Sequence, residues 1–121
     1  MNKELEDLID DWHWDEESKV FATDLGIFLL AFCEYLKTQD LSVRNLRNHL
    51  SNVQLIGMFA CQYCYDDEFD AEMFESGEAS YEYEFGYKVS DSPTALSSYR
   101  STWKRISKFM QSENYETFYK I

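Results

Sequence analysis

Glycine and proline are scarce in this chain, with four glycines and one proline in 121 residues. Turns and sheet corners lean on both residues, so their scarcity argues against an all-β fold. Basic side chains are also few: 11 Lys and Arg stand against 23 Asp and Glu, a formal net charge of −12. A balance of that sign opposes generic adhesion to nucleic acid or to an anionic membrane, and favours solubility or attraction to a basic partner. No run of about 18 apolar residues occurs, so no membrane span is expected. The N-terminal stretch MNKELEDLIDDWHWDEE is acidic and lacks the apolar segment of a signal peptide, so a cytoplasmic location is expected. Only three cysteines are present, Cys33, Cys61 and Cys64. An odd number without an export signal points to reduced thiols, with Cys33 as a small core residue.

Core material, by contrast, is ample. The chain is 45% hydrophobic and 17% aromatic, which argues against disorder. Its length favours one compact domain, residues 1–121, able to bury roughly two thirds of the unfolded surface.

Hydrophobic spacing divides the chain into helices. Leu5, Leu8, Ile9 and Trp12 predict a first helix over 3–14. Phe21, Leu25, Phe28, Leu29, Phe32 and Leu36 predict a central one over 16–37, nearly apolar all round at GIFLLAF. Ser42 is an N-cap for a third helix over 43–64, with Val43, Leu46, Leu50, Val53, Ile56, Gly57, Ala60 and Cys64 on its apolar side. Gly57 within it points to close helix packing. Ser92 as N-cap and Pro93 at the first helical position open a late basic helix carrying Ala95, Leu96, Tyr99, Trp103, Ile106, Phe109 and Met110. A last short helix packs Phe118 on the core. The expected fold is all-α: a compact bundle of four to five helices, with a long acidic loop between the third and the late basic helix.

That acidic segment is the most unusual part of the chain. Residues 60–91 hold ten acids and one base, Lys88. Phe69, Met73 and Phe74 suggest a short helix. YEYEFGY at 81–87 alternates aromatic with acid, the pattern of an extended strand. With no partner strand in sight, it is read as loop. Carboxylates interleaved with aromatics suit a surface for a basic protein, so Glu78, Tyr81, Glu82, Tyr83, Glu84, Phe85 and Tyr87 are the candidate partner-binding residues.

Enzymatic chemistry finds no support. Ser-His-Asp and Cys-His arrangements and Gly-rich phosphate loops are absent. The CQYC pair at 61–64 falls near a helix C-terminus, where no dipole activates a thiol. A structural zinc would have to recruit Cys33, His13 or His49 from scattered positions, so packing is the reading for both cysteines. His13 reads as a surface or boundary residue. The acids lack the register of a calcium loop. No enzyme activity, cofactor or metal site is expected.

Phe28, Leu29, Phe32, Tyr35 and Leu36, then LSVRNLRNHLSNV at 41–53, then Tyr99 to Phe109, together resemble the SAM-like core-binding N-terminal domain of tyrosine recombinases, the phage integrases. The resemblance covers about residues 20–110. It implies a four- or five-helix bundle that clamps one face of DNA through basic helix faces. By position, Arg44, Arg47 and His49 would touch phosphates from one helix, and Arg100, Lys104, Arg105 and Lys108 from another. The catalytic domain of that family has no room here. Phosphate binding also needs local positive potential, which a charge of −12 opposes; the acidic segment could fold over the basic faces and neutralise them.

The expected function is therefore that of a non-enzymatic, acidic helical protein acting through protein–protein binding, an accessory or adaptor factor of a bacterium, phage or mobile element. An acidic inhibitor of the immunity, anti-restriction or anti-CRISPR type is the first alternative, and an integrase-derived DNA-binding module the second.

Overall fold

The computed structural model describes residues 3–12, 16–64 and 68–119. Among the described residues six helices follow in order: α1 (Lys3–Trp12), α2 (Glu16–Lys37), α3 (Val43–Cys64), α4 (Glu82–Lys88), α5 (Pro93–Met110) and α6 (Asn114–Phe118). A short 3-10 turn, Ala71–Phe74, lies between α3 and α4, and no strand occurs among the described residues. His13, Trp14 and the Asp66–Asp67 start of the acidic run lie outside the described residues.

The helix ends follow from local chemistry. The Ser42 hydroxyl accepts from the Asn45 amide at 3.1 Å, and the Ser92 hydroxyl from the Ala95 amide at 3.3 Å. Each satisfies one of the amides a helix start leaves without a partner. Pro93 then supplies a preset φ where no amide hydrogen is needed. After α2, the Thr38 hydroxyl donates to the Tyr35 carbonyl, closing the last turn.

Packing centres on α2, whose Phe21, Ala22, Leu25, Phe28, Leu29, Phe32, Cys33 and Leu36 are all buried. Against it stand Val53, Ile56, Phe59, Ala60 and Cys61 of α3 and Tyr99, Trp103, Ile106 and Phe109 of α5. Phe28 and Phe74 stack with centroids 5.2 Å apart, drawing the 3-10 turn onto the same core. Gly57 lies where α1 crosses α3, and a methyl group there would run into the indole of Trp12. The glycine permits the crossing.

One expectation is overturned. Residues 82–88 form a helix, where the alternating pattern predicts extended loop. Phe85 is buried and stacks on Tyr99 at 4.5 Å, while Tyr83 and Tyr87 point out. In a helix, positions two apart lie about 200° apart and positions four apart share a face. Inward 81 and 85 with outward 83 and 87 therefore satisfy a helix as well as a strand. The burial of Phe85 against α5 selects the helix. Two elements of this connection are also tied by polar contacts: Tyr99 donates to the Ser80 carbonyl at 2.7 Å, and Ser107 donates to the Glu75 carbonyl at 2.6 Å.

Candidate functional site

α4 is the most exposed aromatic element of the described chain. Tyr83 and Tyr87 are 78% and 79% exposed, and their rings run parallel, 4° apart in tilt with centroids separated by 6.2 Å. Glu82 and Glu84 occupy its first turn, where carboxylates suit the helix dipole, and Lys88 its last. Glu82 receives a hydrogen bond from Nε of Arg100 at 2.7 Å and a second from Nη2 of the same guanidinium.

Tyr81, at the entrance of α4, adopts the left-handed conformation with φ 64°. Its ring lies near Phe59 and Trp103, stacked on Tyr63 at 5.7 Å, and its hydroxyl is 3.5 Å from the Cys64 sulfur. Burial, with that contact to Cys64, raises the hydroxyl above its ordinary range. Phe85 and Tyr81 are thus anchors that seat α4, and the exposure expected of Phe85 is not found. The outward set consists of Tyr83 and Tyr87, with Glu84 half-buried beside them and Glu78 exposed ahead of the helix.

The seven basic candidates divide differently. α3 and α5 pack antiparallel through a buried polar cluster. His49 Nδ1 lies 2.8 Å from the Thr102 hydroxyl, and Asn52 donates to Thr102 at 2.9 Å and to Ser98 at 3.1 Å. His49 is therefore a core residue, which corrects its expected role at a phosphate surface. Burial, and then the charge of Arg105, lowers its pKa. Arg44 and Arg47 are exposed on the opening turns of α3, and Lys104 and Lys108 on α5, with Arg105 half-buried. Arg100 is exposed but committed to Glu82. Glu78, Glu82, Arg100 and Lys104 line one shallow cleft of about 400 Å³, so acidic segment and basic helix do meet there.

CQYC occupies the last turn of α3. Cys61 is buried, and burial, reinforced by Cys64, pushes its thiol up to about 12. That is the reverse of an activated nucleophile. No disulfide joins the three cysteines, and no group of three His, Cys, Asp or Glu side chains able to hold a metal ion occurs among the described residues. No described helix is long and apolar enough to cross a membrane.

One feature escapes a reading by segments. Phe69, Asp70, Glu72 and Glu75 join Tyr115 and Tyr119, over forty positions later, around a cavity of about 480 Å³. The only local signal was the spacing of Tyr115 and Tyr119, four apart as on one helix face.

No family model matches this chain, and neither a curated protein nor a solved structure matches it.

Proposed function

We propose that this chain is a non-enzymatic binding protein of adaptor type, whose α4 face receives a basic surface of another protein. The observation that carries the reading is the Tyr83–Tyr87 pair: two parallel rings, almost wholly exposed, on a helix with carboxylates in its first turn. Exposed tyrosines spend contact area without a core to justify them, and tyrosine is favoured at protein interfaces because two side-chain torsions fix a large ring. Lysine and arginine can add cation–π contacts to the ring faces. Because Phe85 and Tyr81 seat α4 on α5 and α3, the pair is offered on a fixed support.

An inhibitor that covers a basic, nucleic-acid-binding target is the special case in which that partner surface is an active site. Affinity capture from the native host, with nuclease treatment to remove nucleic-acid bridges, tests the reading. A basic protein should be retained by the natural chain and lost with Tyr83→Ala/Tyr87→Ala. Equal retention by both would reject α4 as the contact.

A second reading, the integrase-derived DNA-binding module, draws on the antiparallel pairing of α3 and α5 and the exposure of Arg44, Arg47, Lys104 and Lys108. Those side chains supply few phosphate contacts against a charge of −12. A duplex retarded at low salt and released steeply as salt rises would favour it over the protein-binding reading.

A further inference from the structure

Away from α4, rings and carboxylates converge on one opening. The cavity between the 3-10 turn and the corner joining α5 to α6 measures about 480 Å³, within the range of small-ligand sites. Its rings are Phe69, Tyr115 and Tyr119; its carboxylates are Asp70, Glu72 and Glu75. Among the described residues that line it there is no Lys, Arg or His.

The rings are held in advance by the core. Tyr115 and Tyr119 stack at 5.5 Å, and each meets Phe28 of α2 edge-on, at 6.2 and 5.1 Å. Phe69 tilts against the same Phe28 at 5.9 Å. A ligand would not have to order them, which removes part of the cost of binding. Their surroundings are negative. Burial, then Tyr119 and Asp70, raises the Tyr115 hydroxyl; burial, then Asp24 of α2 and Asp70, raises that of Tyr119. Aromatic faces are themselves negative. An anion would be repelled by the three carboxylates, with no cationic side chain among the lining residues to offset them, and a neutral apolar ligand would strip water from carboxylates without replacing it. A cation with an aliphatic stem satisfies both: the stem lies on the rings, and the charged head meets π faces and carboxylates.

We propose that this cavity binds an alkylammonium or guanidinium group, presented by a lysine or arginine side chain of a basic partner protein. The proposal rests on the reading of a basic partner given above, but engages residues other than those of α4.

The test titrates the isotope-labelled full chain with hexalysine and, separately, with spermidine, following amide resonances. Hexalysine should shift residues 69–75 and 110–119. Tyr119→Leu should weaken that response about tenfold, the loss of one cation–π contact. Glu72→Gln/Glu75→Gln, at two exposed positions, should weaken it comparably and keeps the test intact if the Tyr119 variant fails to fold. Cavity shifts unchanged in both variants would overturn the site. Hexalysine shifts confined to α4 would overturn the cavity and leave the basic-partner reading standing, whereas hexalysine shifts nowhere would overturn both. A response to spermidine but not to hexalysine would overturn the assignment to a protein side chain.

Discussion

The indole of Trp12 fills the space in which a side chain at Gly57 would begin. α1 and α3 can cross at this distance only because residue 57 has no Cβ. Gly57→Ala should therefore destabilise the fold although alanine is the better helix former, by about 1–3 kcal/mol as for other overpacked sites. Combining it with Trp12→Leu should cost less than the sum of the two single changes. Urea denaturation of the four proteins checks this, and additive costs would show that the two residues do not share that space.

Phe85 and Tyr83, two positions apart, should behave oppositely. Phe85 is buried against Tyr99, so Phe85→Ala should cost about 3–5 kcal/mol of stability. Tyr83 is 78% exposed, and Tyr83→Ala should change stability by no more than about 0.5 kcal/mol while removing half of the proposed contact surface. Thermal melts separate the two, and a large loss from Tyr83→Ala would mean that α4 is seated some other way.

His49 sets an acid limit to stability. Its pKa is lowered from 6.5 in the folded protein, by burial and then by Arg105. Below that ordinary value the unfolded chain binds a proton that the folded chain resists, so stability falls as pH drops through and below 6.5. His49→Asn, which can still bond Thr102, should flatten this part of the profile. Urea midpoints between pH 8 and pH 5 test the prediction; equal slopes for the two proteins would contradict it.

The thiols should react in sequence. Cys64 is half-buried at the end of α3, whereas Cys33 and Cys61 are buried and the Cys61 thiol is pushed up to about 12. A thiol reagent at pH 8 should modify Cys64 first, with Cys61 reacting only as the protein unfolds. Peptide mapping of the labelled protein gives the order, and early labelling of Cys61 would count against its burial.

Most helices were legible because their signals are local. Ser42 and Ser92 mark helix starts by hydrogen bonds to amides three residues on, Pro93 by its preset φ, and the long stripes of α2, α3 and α5 repeat often enough to define one period. α4 was not legible for a specific reason. Seven alternating residues fit a strand and a helix equally, and the contact that decides, Phe85 on Tyr99, spans fourteen positions. His49 misled in the same way: its partner Thr102 lies 53 residues away, so on the sequence it looked like one more basic group beside Arg44 and Arg47. Exposure of Tyr83 and Tyr87 was anticipated; the burial of Phe85 between them and the half-burial of Tyr81 ahead of them were not. Beyond the four-residue spacing of Tyr115 and Tyr119, nothing local announced the cavity, since its two halves meet only after α5 has turned the chain back.

Tyr81 enters α4 with φ 64°, a conformation that costs a residue other than glycine about 1–3 kcal/mol. A helix of seven residues cannot meet that expense alone, being too short to persist in water. Phe59, Tyr63 and Trp103 must already be assembled around the ring before α4 becomes favourable. The outward placing of the two tyrosines is then a property of the folded chain alone: a synthetic peptide of residues 78–91 would carry the same letters without the same surface, and the partner proposed above would ignore it.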